Sequence, residues 1–156
     1  MIVSNSTPLI AFARIGELEL LHRLVQYVLV PEAVWNEVIE TGDRPGAAEI
    51  RTATWVEMRA VRVIPLEIVS LLDRGEVEAI ALAEEIAADE LLLDERAARA
   101  VATARGLKII GTVGLLARAK QRGMITTIRP FLERMQAQGI RYSQRFDEAF
   151  LRQLGE

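Results

Sequence analysis

Apolar positions recur along this chain in two periods, and the clearest switch between them lies in GEVEAIALAEEIAADELLLDE, Gly75 to Glu95. Ala79, Leu82, Ala83 and Ile86 fall on one helical stripe. Leu91, Leu92 and Leu93 form an unbroken apolar run, the pattern of a parallel strand covered on both faces. A helix over 76–88 climbs about 19 Å. A strand over 90–94 returns about 16 Å. Glu76 at the helix start and Asp94 at the strand end are therefore expected at one edge of the domain.

The same alternation runs through the rest of the chain. Strands are predicted at Ile2–Ser4, Tyr27–Val30 and Leu107–Ile110, with an edge strand or extended segment over Trp55–Ile64. The helix after the first strand has Ser6 or Thr7 as cap and Pro8 at its first position. Further helices are expected over Glu17–Leu24, from Pro31 through Val34, Glu37 and Val38, over Ala47–Ala53, over Glu67–Asp73 and from Arg96 to a C-cap at Gly106. Leu115–Arg122 is predicted helical, as is Met124–Gln138 with a kink near Pro130. Ile140–Tyr142 reads as extended, and Ser143 as the cap of a last helix, Gln144–Leu154. Thr41–Gly46 is a polar, Gly/Pro-rich loop. Alternating strands and helices imply an α/β fold, a mostly parallel sheet with helices on both faces. Right-handed crossovers collect Asn5, Asp94 and Thr112 at one sheet edge, with Glu76 close by.

Length bounds this picture. The 156 residues make one domain by size, with the helices over 124–156 its least diagnostic part. The chain lacks cysteine, which excludes disulfides and thiolate metal sites. The single His22 excludes His-rich zinc sites and reads as a partly buried helix residue. No run of 18 apolar residues exists, so no membrane span is expected. MIVSNS reads as a first strand and not as a signal peptide, making the cytoplasm the expected location. Charge is unevenly spread. Residues 1–95 carry 7 basic and 18 acidic side chains, and residues 96–156 carry 12 and 4.

Carboxylates gathered at strand ends without His or Cys suit Mg²⁺ or Mn²⁺. An ion of that kind serves phosphodiester hydrolysis. An arginine-rich half beside it would contact nucleic-acid phosphates, through Arg96, Arg99, Arg118 and Arg122 first. Glu37, at the edge of the Val34–Val38 stripe, is a further site candidate. Spacing alone leaves open the plainer reading, in which Glu37 is a helix-surface residue and Glu76 and Asp94 sit where capping and solvation put them.

Five segments in order, VSNSTPLI at 3–10, VPEAVWNEV at 30–38, GEVEAIALA at 75–83, LLLDERAAR at 91–99 and GTVGLL at 111–116, resemble the PIN-domain proteins over residues 2 to about 125. That resemblance implies a three-layer α/β/α fold and a metal-dependent single-strand ribonuclease. It also implies toxin–antitoxin pairing, hence an antitoxin partner, and homo-oligomers. By position, the acidic cluster falls on Asn5, Glu37, Glu76 and Asp94, with Glu78 the alternative to Glu76. Ser6 or Thr7 matches the hydroxyl residue that follows the first acid. The family's first acid is usually Asp, and Asn5 keeps an oxygen ligand while removing a charge. Two functions follow: a Mg²⁺- or Mn²⁺-dependent endoribonuclease, or a non-catalytic PIN-like module that binds RNA or protein. A phosphate-receiving regulator with Asp94 as acceptor expects two acids at the first strand's end, where Asn5-Ser6 stands.

Overall fold

The computed structural model describes residues 1–40, 45–140 and 144–156. Residues 41–44 of the expected polar loop, the end of the extended 140–142 segment and the Ser143 cap lie outside them.

Among the described residues, five strands form one all-parallel sheet in the order β3-β2-β1-β4-β5: β1 Ile2–Ser4, β2 Val28–Val30, β3 Val56–Met58, β4 Glu90–Leu92 and β5 Ile109–Ile110. Successive strand residues face opposite sides. Val28, Val30, Val56 and Leu92 pack on one side, against α1 (Ser6–Arg14), α2 (Leu18–Val25), α3 (Glu32–Glu40), α4 (Ala47–Thr52), α8 (Thr112–Gln121) and α9 (Arg129–Ala137). Val3, Leu29, Leu91 and Leu93 pack on the other, against α5 (Leu66–Val69), α6 (Arg74–Glu85) and α7 (Arg96–Ala104). Leu91, Leu92 and Leu93 are 1%, 0% and 0% exposed, so the apolar run is covered on both faces. α10 (Gln144–Gln153) adds Leu151 to the first layer.

Strand order reverses direction between β1 and β4. In open α/β sheets that crevice, beyond the strands' carboxyl ends, is where ligands bind. Asn5 follows β1 and Asp94 lies just past β4.

Several elements differ from the sequence expectation. The α1 cap is Asn5, not Ser6 or Thr7, because Asn5 holds the extended backbone (ψ 173°) that precedes the helix. Pro8 is then the third helical residue. The segment Trp55–Ile64 is a strand only over Val56–Met58, since β3 is an edge strand with a neighbour on one side alone. The helix expected over Glu67–Asp73 is the single turn α5. Pro130 sits at the start of α9, where its missing N–H costs nothing, instead of kinking a longer helix.

Candidate functional site

α6 begins two residues before the helix expected over 76–88, because Asp73 caps it. The Asp73 Oδ1 accepts the Glu76 N–H at 2.8 Å, and Glu76 Oε2 accepts the Asp73 N–H at 3.0 Å, closing a capping box. This fixes Glu76 in the first turn, where it is buried. Burial raises its pKa, and the charges of Asp73, Glu95 and Glu37 add to the rise. Glu95 adjoins Asp94, so Glu76 and the end of β4 do share an edge.

Glu37 lies half-buried in α3. Ser6 Oγ donates to its Oε2 at 2.6 Å. Burial raises the Glu37 pKa against that hydrogen bond, with Asp73 and Glu40 pushing the same way. Gly75 makes room for it: a Cβ there would stand 2.3 Å from Glu37 Oε1 and 3.5 Å from Asn5 Oδ1. The two oxygens thus flank one point. Asn5 is only 4% exposed, and its Oδ1 is the buried side-chain oxygen without a hydrogen-bond partner among the described residues.

Asp94 stands on the other side of the β1–β4 crevice. Thr112, the first residue of α8, gives it two hydrogen bonds: N–H to Oδ1 at 2.7 Å and Oγ to Oδ2 at 2.6 Å. Burial raises the Asp94 pKa, opposed by Thr112 and by the Arg99 charge. Arg99 Nη1 donates to the Leu93 carbonyl at 3.1 Å. Gly111 leaves space for both: a Cβ there would meet Arg99 Nη1 at 2.5 Å and Asp94 Oδ1 at 2.8 Å.

Asn5, Ser6 and Glu37 are thus brought together beside Gly75, with Glu76 within reach of the Glu37 charge, while Asp94, Thr112 and Arg99 form a group of their own past β4. Thr7 is half-buried in α1 and makes none of these contacts. Glu78, the alternative to Glu76, turns to α3 instead, accepting the Ala33 N–H at 3.2 Å and Arg74 Nε at 2.8 Å. Arg96 is exposed at the start of α7, and Arg122 is exposed at the far end of α8. Arg118 does not join the site. Its guanidinium grips both carboxylate oxygens of Glu90 at 2.9 and 2.7 Å, and Glu90 is the first residue of β4, at the end opposite Asp94.

Sequence reasoning missed Asp73, Gly75 and Gly111. The Asp-x-x-Glu spacing of Asp73 and Glu76 is a readable capping box. The two glycines carry no such signal, since what they clear is placed by distant segments.

The donors are all hard oxygens, and the unpartnered Asn5 Oδ1 beside Glu37 Oε1 is the arrangement a small divalent cation fits. Among the described residues, no three His, Cys, Asp or Glu side chains come close enough together to hold an ion by themselves. Any ion held here would rest on fewer than three carboxylates, with water and the Asn5 oxygen as the neutral donors at hand.

A family model described as PIN domain matches residues 1–156. The fold is similar to the solved structure of a PilT N-terminus domain protein from the hyperthermophilic archaeon Sulfolobus solfataricus. The two are 24% identical with a TM-score of 0.57, over 76% of this chain and 93% of that one. No curated protein matches the chain.

Proposed function

The chain belongs to the PIN-domain family, and from that premise we propose that it is a Mg²⁺- or Mn²⁺-dependent endoribonuclease acting on single-stranded RNA. The observation that carries the reading is the buried, unpartnered Oδ1 of Asn5 beside the Glu37 carboxylate at the sheet's switch point. Asn5 and Glu37 would hold the ion, with Glu76 and Asp94 acting on it through bound water, since the three carboxylates do not form one cluster among the described residues. When bound, such an ion supplies Lewis-acid activation of water and of the scissile phosphate. Ser6 orients Glu37 through its hydroxyl, and Thr112 fixes both oxygens of Asp94. Arg96 and Arg99 lie in the first turns of α7, where the helix dipole disfavours cations and favours anions. Basic side chains at that end fit a phosphate backbone, which would offset the repulsion. An antitoxin partner is proposed on the family resemblance alone. Among the described residues, no helix is long and apolar enough to cross a membrane.

The test is cleavage of single-stranded RNA with Mn²⁺ and with EDTA. Manganese-dependent cutting, lost in Asp94→Asn, is the expected result, and equal cutting in EDTA rules the metal mechanism out.

One observation favours a second reading, a PIN-like binding module without catalysis. Asn5 replaces a charged ligand, and Glu37, Glu76 and Asp94 each already accept hydrogen bonds from within the chain. Calorimetry separates the two: absence of binding at millimolar Mn²⁺ supports the module. Recovery of activity in Asn5→Asp would assign the deficit to the missing charge.

A further inference from the structure

Glu78 has no task in the proposed chemistry, yet it is buried in α6 as deeply as Glu76, 6% exposed. A carboxylate buried that far needs hydrogen bonds to answer it. It has two: Oε1 accepts the Ala33 N–H at 3.2 Å and Oε2 accepts Arg74 Nε at 2.8 Å. The Arg74 side chain is 80% exposed, so it answers the charge from the solvent side, while the Ala33 bond lies inside.

α3 lacks a cap of its own. The first N–H groups of a helix have no partners within it. Pro31 precedes α3, and its carbonyl accepts the Trp35 N–H at 3.0 Å, but its ring offers no side-chain oxygen. A Ser, Thr, Asp or Asn at that place would cap the helix locally. Glu78 does so from the neighbouring helix, and its negative charge suits that end of the α3 dipole.

The same two helices meet again one turn away. Glu37 follows Ala33 by four positions and Gly75 precedes Glu78 by three, so each pair shares a helix face. A Cβ on Gly75 would stand 2.3 Å from Glu37 Oε1. The two points are about 6 Å apart along α3 and about 4.5 Å apart along α6, close enough for both contacts to form at once. Sliding α3 by one residue would turn Glu37 by about 100° and carry its carboxylate away from Asn5. Burial of Val34 and Val38 in the core is not directional and resists such a slip weakly. The Ala33 bond is directional.

We propose that Glu78 is a positioning residue, a cap supplied by α6 that sets the register of α3 and so holds Glu37 against Gly75 and Asn5. Its consequence for metal rests on the reading in which Glu37 and Asn5 hold the ion; the register itself needs no ion. Within GEVE, Gly75 clears space, Glu76 closes the capping box and Glu78 fixes the facing helix.

Three variants separate reach from charge. Glu78→Gln keeps an oxygen at full reach without charge, Glu78→Asp keeps the charge one methylene short, and Glu78→Ala has neither. In EDTA, the nuclear Overhauser contact between the Glu37 side chain and the Gly75 α-protons should be present in wild type and Glu78→Gln and absent in Glu78→Asp and Glu78→Ala. Mn²⁺ affinity by calorimetry, taken well below each melting point, should stay near wild type in Glu78→Gln and fall roughly tenfold in the other two. A contact that survives in Glu78→Asp and Glu78→Ala overturns the proposal, as does one lost in folded Glu78→Gln. Loss of Mn²⁺ binding in Glu78→Gln with the contact intact would make Glu78 a ligand and overturns it too. A wild type that binds no Mn²⁺ but shows the expected pattern of contacts upholds the register and defeats the metal reading alone.

Discussion

Glu37 is one of three site carboxylates, with Glu76 and Asp94, whose protonated form the fold favours. Burial first, then Asp73 and Glu40, raise its pKa above the ordinary carboxylate range, while the Ser6 hydroxyl lowers it. The folded chain thus holds this proton more tightly than the unfolded chain. Stability from this group is present in acid and is lost as pH rises from the unfolded value through the raised one. Glu37→Gln removes the ionisation. In EDTA its melting temperature should exceed that of wild type at neutral pH, and the gap should close toward pH 4. With Mn²⁺ the order should reverse, because the ion stabilises only a chain that binds it. A wild type more stable than the variant in EDTA at neutral pH contradicts the assignment. Gly75 tests the same spot from the opposite wall. The Cβ of Gly75→Ala would displace Glu37 Oε1, the mobile end of a long side chain. Helix content by circular dichroism should therefore hold, while Mn²⁺ affinity by calorimetry falls at least tenfold, about 1.4 kcal/mol. Unchanged affinity would show that Glu37 is not a ligand.

At the scale of elements, α6 depends on one cap. Asp73→Ala removes the acceptor for the Glu76 N–H, at a cost of about 1 kcal/mol. That corresponds to about 2–4 °C in a chain of this length, read by thermal melts. Asp73→Asn keeps an acceptor and should recover most of it; equal losses in both would mean that charge, not capping, matters there. The cap also shows which elements were legible in the sequence. α6, β4 and α7 were readable because their apolar periods are strong and local. The alternation over Trp55–Ile64 fits an edge strand or an extended segment alike, and β3 stops at Met58 because beyond Arg59 the N–H groups of Arg62 and Val63 go to Glu85 and not to a strand. The α1 cap was misassigned because Ser6 and Thr7 are good caps in isolation, while Ser6 is drawn to Glu37, 31 positions away. Asn5, Glu37, Glu76 and Asp94 could be named from family motifs. That Asn5 is unpartnered and that Gly75 and Gly111 clear the space are products of packing between distant segments.

For the whole molecule, the acidic and basic halves of the sequence do not map simply onto a metal side and an RNA side. α8 starts at the sheet's carboxyl edge with Thr112 and runs back along β4. Six residues on, about 9 Å away at 1.5 Å per residue, Arg118 has left the site. It meets Glu90, 8% exposed, whose pKa it lowers by hydrogen bonding and charge. Arg99 has the opposite fate: α7 starts at that same edge, and its guanidinium is pinned beside Asp94 by the Leu93 carbonyl. Two arginines of one basic half should therefore behave differently. Arg118→Ala leaves a buried carboxylate with Lys108 alone, at 3.7 Å. Loss of a buried partner costs several kcal/mol when complete. Arg118 is itself 25% exposed, so about 2 kcal/mol is the fitting figure, or roughly 4–8 °C. RNA binding measured well below that melting point should be unchanged. Arg99→Ala should lose about 1 kcal/mol with its bond to the Leu93 carbonyl, and unlike Arg118→Ala should weaken RNA binding and reduce its salt dependence by about one phosphate contact. Equal losses of RNA affinity in the two variants would mean that the basic half acts as a diffuse field, and that the sheet edge does not select which arginine touches the backbone.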